Sequence, residues 1–236
     1  MKALLALLAA GKFGKLLVSG GSMILSVFVY AITFGWRYAA GLVALIFAHE
    51  MGHYMAAKKR RLNVGLPTFI PFVGAWIELK EQPMDSETEA FVGIAGPMLG
   101  SAAALLCYLV ALESGSRLLL ALSYSGFMLN LFNLIPLSPL DGGRIVSVIS
   151  PKIWLIGVPL LIGLFFWKPS PLLVLIAVLA LPQIWKVFRG SEAENARYYN
   201  APLAVRWQYG FQYLALGAFL SIMAYELHEV LDKPGS

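Results

Sequence analysis

The stretch Tyr38–Ala57 reads YAAGLVALIFAHEMGHYMAA, an apolar run long enough to cross a membrane, with an HExxH motif at 49–53. Residues four apart share one face of a helix, so His49 and His53 can each offer an imidazole nitrogen to one Zn²⁺. Glu50, one step round the helix, can reach a water molecule on that metal. Ionisable groups at membrane depth cost ~2.5–3.5 kcal/mol each on insertion scales and are functional by default. The run therefore favours a metal-binding helix over a pair of structural histidines beside a helix end.

The composition of the chain is that of an integral membrane protein. Of its 236 residues, 59% are hydrophobic and 13% are charged, about half the charged share of a soluble domain. The one cysteine, Cys107, lies in an apolar run, so we expect a buried hydrophobe and no intrachain disulfide. Residues 1–15 have lysines where a longer apolar region and a cleavage site should be, so we expect a retained segment at the membrane interface.

Breaks in the apolar pattern divide the chain into seven candidate spans. In chain order they are Leu16–Trp36, Tyr38–Ala57, Ala90–Leu112, Leu118–Pro136, Ile153–Trp167, Pro171–Val187 and Trp207–Val230. Polar residues dilute the last run, which could instead be an amphipathic surface helix. Between the second and third runs, Leu62–Gln82 is β-rich and broken by Gly and Pro, which favours a hairpin dipping in from one side. We predict an all-α polytopic membrane protein with about six to seven transmembrane helices and a β-rich re-entrant segment.

Smaller features predict how the helices begin and meet. Ser86 and Glu89 stand at capping-box spacing and predict a helix start. Gly96 and Gly100 form a GxxxG spacing, which is typical of close helix contact, and Asn130 is expected to make polar contacts between helices.

The cations of the chain set its predicted orientation. If Lys58–Arg61 face the cytoplasm and seven spans alternate, only four of the eighteen Lys and Arg residues lie outside. These four are Arg37, Arg117, Lys168 and Lys233. The positive-inside rule predicts such a bias, and anionic cytoplasmic lipid accounts for the net charge of +5 without any nucleic acid. We expect an integral protein of a bacterial cytoplasmic membrane, in contact with the lipid bilayer.

The depth of the motif points to a third ligand. At ~1.5 Å per helical residue, His53 lies roughly 7 Å and His49 roughly 13 Å from Lys58, inside the bilayer near the cytoplasmic side. The fourth span returns to that side, and Asp141 at its end lies at an equivalent depth. Alone, the Asp-Gly-Gly sequence at 141–143 is more typical of a turn, but the topology favours a carboxylate ligand that leaves the fourth zinc position for water.

Two motifs of the chain resemble those of the site-2 proteases, a family of intramembrane zinc metalloproteases. HEMGH at 49–53 matches the family's HExxH, and NLIPLSPLDG at 133–142 matches its NxxPxxxxDG throughout. The small-residue Gly-Pro segment at 93–100 is similar to that of the family's third core helix. The resemblance covers roughly residues 16–145.

The resemblance implies a zinc site formed by His49, His53 and Asp141. It further implies that Glu50 is the catalytic acid and base and that Asn133 lies beside the site, holding substrate or the oxyanion. Many relatives add a PDZ or CBS module, for which this chain has no room, so we expect a minimal form whose regulatory partner is unknown. The expected division is an N-terminal interfacial segment at 1–15, a catalytic core at 16–150 and additional C-terminal membrane helices at 151–236.

The expected reaction is hydrolysis of a peptide bond within or near the membrane span of a single-span protein, as in regulated intramembrane proteolysis. Zinc would lower the pKa of its water towards ~7, and Glu50 would carry the proton to the leaving nitrogen. A helix hides its carbonyls, so the substrate must unwind locally. Residues 68–79 are a candidate edge strand that would hold it extended, or equally a membrane-packing loop.

Two other functions stay open at this point. A membrane zinc hydrolase acting on lipid or a small amide would use the same metal site. A non-enzymatic transporter or scaffold would also place polar groups and broken helices in a membrane, although a site that only binds metal has no need of Glu50.

Overall fold

The computed structural model describes residues 12–72, 74–76, 85–189 and 198–233 and is mostly helical. Its helices are α1 (Lys12–Phe34), α2 (Trp36–Lys59), α3 (Ser86–Ser114), α4 (Arg117–Asn133), α5 (Asp141–Ser147), α6 (Trp154–Trp167), α7 (Pro171–Arg189) and α8 (Leu203–Asp232). Two strands, β1 (Thr68–Ile70) and β2 (Gly74–Trp76), lie between α2 and α3. The mostly helical architecture predicted from the sequence is confirmed, whereas residues 1–11 of the expected interfacial segment lie outside the described residues.

Three of the described helices are long and apolar enough to cross a membrane. They are α1 over Leu17–Phe34, α3 and α8, and shorter apolar helices run over Pro151–Trp167 and Pro171–Pro182. The last predicted run, Trp207–Val230, therefore lies inside a helix with the length and composition of a span. Large apolar side chains such as Ile32 and Phe166 are exposed, as expected of surfaces that face lipid. The chain is an integral membrane protein, and the count of six to seven spans stays a prediction.

The strands form an antiparallel hairpin that is fastened to α1. Phe69 pairs with Ala75 in the centre of the hairpin. The backbone N–H of Phe69 donates to Ser22 Oγ at 3.0 Å, and that of Phe72 donates to Tyr30 Oη at 3.0 Å. Hydroxyl groups of α1 thus hold the hairpin in place, and the re-entrant position expected for it stays a prediction.

Helix α3 lies at the centre of the fold, packed against α2, α4, α5 and α8. Glycines make the closest approaches possible. A Cβ atom at Gly52 of α2 would overlap the Ala95 carbonyl of α3, and a Cβ atom at Gly96 would overlap the His53 ring. A Cβ atom at Gly100 would overlap the Asn130 amide of α4. The close contact predicted by the GxxxG spacing is therefore present, and it lies against the HExxH helix and α4.

One local expectation from the sequence needs correction. Helix α3 is capped by Asp85, whose carboxylate accepts from the Thr88 N–H at 2.7 Å, so the cap lies one residue before Ser86. In addition, the Asp-Gly-Gly sequence at 141–143 opens a short helix, α5, that the sequence did not predict. Its glycines allow this helix to lie against the preceding loop, because a Cβ atom at Gly142 would overlap the Leu134 carbonyl.

Candidate metal centre

The HExxH motif lies on α2, on the side that faces α3 and α4. His49 and His53 are one turn apart and both are buried. Their Nε2 atoms are 3.1 Å apart, so the two rings converge on one point as the four-residue spacing predicts.

Asp141 reaches the same point from α5. It is the first residue of α5, and its side chain is buried. Its Oδ2 atom lies 3.1 Å from His49 Nε2 and 3.2 Å from His53 Nε2. Asp141 is 88 positions from His53 and 92 from His49 in the sequence. The three side chains nevertheless place one ligand-type atom each at the corners of a nearly equilateral triangle.

Hydrogen bonds on the far side of each ring aim the Nε2 atoms into this triangle. His53 Nδ1 lies 2.8 Å from the Val92 carbonyl oxygen of α3, and His49 Nδ1 lies 2.8 Å from Asn130 Oδ1 of α4. A carbonyl oxygen can only accept, so the proton of His53 belongs on Nδ1 and its Nε2 carries a lone pair. Metal-binding histidines in proteins are oriented in this way.

The arrangement fits a zinc ion. At Zn–N and Zn–O distances of ~2.0–2.2 Å, the ligands of a tetrahedral site lie roughly 3.3 Å apart, close to the three observed separations. Two imidazole lone pairs and a carboxylate oxygen at such short range repel one another unless protons or a metal ion lie between them. Two imidazoles and one carboxylate are also the donor set of a catalytic zinc site with one open position.

The second carboxylate oxygen of Asp141 lies near a series of polar side chains formed by Arg144, Glu89 and Tyr198. Arg144 Nη1 lies 3.8 Å from Asp141 Oδ1, and Arg144 Nε lies 3.9 Å from Glu89 Oε1. Tyr198 donates its hydroxyl to Glu89 Oε2 at 2.7 Å. Burial, and then the Glu89 carboxylate, raise the pKa of Tyr198 above its usual range, so the phenol keeps the proton that it donates. The segment before α8 is thereby linked to the metal ligand.

Glu50 lies on the same turn as the histidines, and its side chain is buried with 8% exposure. It is not one of the three converging groups, and its carboxylate makes no hydrogen bond or ion pair with the described residues. A buried carboxylate beside a metal and free of other partners is placed to exchange a proton. Its catalytic assignment stays a prediction.

The two asparagines of α4 lie in different environments. Asn133, expected beside the site, is the last residue of α4 and is half-buried, and its side chain makes no hydrogen bond to the described residues. Asn130, expected only to bridge helices, is 1% exposed and contacts His49 directly. The sequence indicates only that Asn130 is a polar amide within an apolar helix, and this does not identify His49 as its partner.

These features define a class of protein: a mostly helical integral membrane protein whose packed core encloses a candidate metal site of two histidines and one carboxylate. Residues 37–124 match the model of peptidase family M50, a segment that includes both histidines.

Individual relatives agree with this match. A zinc metalloprotease of Methanocaldococcus jannaschii is 34% identical over 116 residues, which are 47% of this chain and 33% of the relative. A chloroplastic protein of Arabidopsis thaliana, named as a probable zinc metalloprotease, is 30% identical over 79 residues, 31% of this chain and 14% of the relative. The chain therefore spans about a third or less of the length of these curated relatives. The solved site-2 protease from Methanocaldococcus jannaschii is 25% identical and has a TM-score of 0.45, covering 76% of this chain and 87% of that one.

The segment 37–124 is similar to peptidase family M50, and the chain is similar to relatives named as zinc metalloproteases. The resemblance drawn from the HExxH and NxxPxxxxDG motifs is confirmed.

Proposed function

We propose that the chain is an intramembrane zinc metalloprotease that cleaves a peptide bond within or near the membrane span of a single-span protein. The observation that carries the proposal is the buried triangle of His49, His53 and Asp141, with Glu50 on the same turn and without a hydrogen bond to any described residue. The match of residues 37–124 to a peptidase family supports a peptidase, and the apolar helices support a substrate that reaches the site from the bilayer.

His49, His53 and Asp141 would hold the zinc ion, and their geometry supports that assignment. Bound zinc would acidify a water molecule and polarise the peptide carbonyl. Glu50 accepts the proton of the attacking water and then donates it to the leaving nitrogen. Asn133, from the end of α4, is expected to hold the substrate or the oxyanion.

Two ion pairs support the proposed orientation. Arg60, just after α2, lies 3.1 Å from Glu87, and Arg144 of α5 lies 3.9 Å from Glu89. Both carboxylates belong to the first turn of α3, so the two cationic segments share one end of the molecule. We place that end at the cytoplasmic face of a bacterial membrane, with six to seven spans, a catalytic core at 16–150 and accessory helices at 151–236.

The hairpin offers one edge for an extended substrate. The Phe69 N–H points to Ser22 of α1, so the outer edge of β1 is occupied. In an antiparallel ladder the opposite residue, Ala75, then also turns its N–H and C=O outward, at the outer edge of β2. No backbone partner of Ala75 is found among the described residues on that edge. We propose that an unwound substrate segment pairs there.

The test is cleavage by the purified protein in lipid vesicles that contain a single-span peptide. Glu50→Gln keeps the shape of the side chain but cannot accept the proton, so cleavage should fall by ~10²- to 10⁴-fold or more with zinc content unchanged. Glu113→Gln is the matched control, because Glu113 is exposed at the far end of α3 and should leave cleavage at the wild-type rate.

Mass spectrometry of the products and a parallel panel of lipids separate the alternatives. Full activity of the Glu50→Gln variant would contradict the proposed chemistry. Hydrolysis of lipid without cleavage of any peptide would instead identify a lipid hydrolase, and zinc binding without either activity would favour a transporter or scaffold.

A further inference from the structure

The two histidines of the centre are held by different kinds of partner. His53 Nδ1 faces the backbone carbonyl of Val92 directly, whereas His49 Nδ1 faces the side chain of Asn130. Both contacts measure 2.8 Å. The second partner is an amide, which can present either an acceptor or a donor, so its orientation decides which nitrogen of His49 carries the proton.

A backbone carbonyl fixes the orientation of that amide. Asn130 Nδ2 lies 2.7 Å from the Gly126 carbonyl oxygen, one turn earlier on α4. The carbonyl can only accept, so the NH₂ group of Asn130 must face it. Oδ1 is then left facing His49, and because Oδ1 is also only an acceptor, the His49 proton belongs on Nδ1. The Nε2 lone pair of His49 is thereby directed at Asp141 and His53.

Packing leaves the amide little freedom to turn. Asn130 is 1% exposed, and on its other side a Cβ atom at Gly100 of α3 would overlap the amide group. The absence of a side chain at Gly100 therefore gives Asn130 the room that it occupies between α3 and His49.

We propose that Asn130 is a positioning residue for the metal centre. Its amide is oriented by the Gly126 carbonyl and in turn accepts the Nδ1 proton of His49, which fixes the imidazole tautomer that can bind the ion. The inference rests on the metal site of the proposed function. Asn130 touches neither substrate nor metal in this role, and it acts through His49 alone. Hydrogen-bond partners of this kind contribute ~10- to 100-fold to metal affinity.

Zinc affinity of the purified full chain, measured by competition with a chelator, tests the proposal without any peptide. Asn130→Leu keeps the approximate volume but cannot accept the Nδ1 proton, so zinc affinity should fall ~10- to 100-fold. Ser123→Ala is the matched control, because Ser123 is also fully buried on α4 but its hydroxyl has no partner among the described residues. Zinc affinity of the control should equal that of wild type.

Asn130→Asp separates the proposed role from a merely structural one. The aspartate keeps an acceptor for His49 but loses the donor to Gly126, so the unfolding temperature should fall while zinc affinity stays at or above that of wild type. If Asn130→Leu does not fold, Asn130→Asp alone decides: loss of zinc affinity in the folded variant overturns the inference, and retention supports it.

The outcomes keep this inference separate from the proposed function. Equal zinc affinity in wild type and Asn130→Leu overturns the role of Asn130 and leaves the protease proposal intact. A wild-type protein that binds zinc but cleaves no peptide contradicts the proposed function and leaves the role of Asn130 to be decided by the affinities. A wild-type protein that binds no zinc overturns both.

Discussion

The glycines at which α2, α3 and α4 meet lie in a different environment from Gly163, in the second half of α6, and Gly217, in the middle of α8. A Cβ atom at Gly52, Gly96 or Gly100 would overlap a neighbouring helix or a side chain of the metal centre. A Cβ atom at Gly163 of α6 or at Gly217 of α8 would have none of the described residues within 4 Å. Glycine thus permits close packing in the core region, formed by α2, α3 and α4. It meets no described neighbour in the peripheral region, which we define as residues 162–167 of α6 and the half-buried and exposed positions of α8 from Gly217 onward.

Apolar character does not distinguish the two regions. Ile162 and Phe166 of α6 are exposed, whereas α3, which is also apolar enough to span a membrane, is much more buried than α1 or α8. Lipid is as apolar as leucine, so close packing of small residues and buried polar contacts hold membrane helices together rather than hydrophobicity. The core region has both features, and the metal centre lies where they coincide.

Removing a ligand from the core region should produce the largest effect. His53→Ala and Asp141→Ala should lower zinc content from one ion per chain to little or none, because two protein ligands do not make a stable zinc site. The peripheral counterparts are His228→Ala and Asp232→Ala on α8, whose side chains are exposed and should be dispensable. Metal analysis of the purified variants measures the difference, and full zinc content in both core variants would refute the assignment of the centre.

A change from glycine to alanine in each region sharpens the comparison. The new methyl group of Gly96→Ala meets the His53 ring, and such overpacking costs about 1–3 kcal/mol. Because the ring must move, zinc affinity should fall ~5- to 150-fold. Gly163→Ala adds the same methyl group at a position with no described atom within 4 Å, so it should leave zinc affinity unchanged. Chelator competition distinguishes the two, and equal affinities would show that the close approach at Gly96 has no bearing on the centre.

The smallest effect is expected at the boundary of the core region. Arg144 lies 3.8 Å from Asp141 and is only partly buried, so the ion pair should contribute ~0.2–1 kcal/mol. Arg144→Leu should therefore weaken zinc binding by no more than ~5-fold, and Arg144→Lys should recover part of the loss. Titration at two salt concentrations measures this contribution. A loss as large as that from removing a ligand would instead show that Arg144 is essential to the site.

The convergence of His49, His53 and Asp141 could be predicted from the sequence because each position follows from a simple rule. The helical period places the two histidines on one face, and the alternation of spans returns Asp141 to the same depth. The HExxH and NxxPxxxxDG motifs also resemble those of the site-2 proteases, and that resemblance implies the same three ligands. Nothing beyond chain order and spacing was needed.

Asn130 and Tyr198 could not be predicted because their contacts depend on how helices rotate and pack. Asn130 reaches His49 only since α4 lies against α2 and α3 at Gly100, and no periodicity encodes that rotation. Tyr198 reaches Glu89 across 109 residues from a segment with no recognisable pattern. Helix α5 was missed for a related reason: two glycines at 142–143 disfavour a helix locally, and packing against the Leu134–Leu140 loop compensates.

Hydrogen bonds with hydroxyl groups of α1 attach the hairpin to that helix, so we expect the two to move together. Ser22 and Tyr30 accept from the N–H groups of Phe69 and Phe72, and Ser19 donates to the Pro67 carbonyl. In an apolar environment, breaking these bonds would strand backbone groups without partners, at a cost of several kcal/mol each. A sideways displacement of α1 would therefore move β1 with it. The edge of β2 at Ala75, proposed above to bind substrate, would then shift relative to the two histidines of α2.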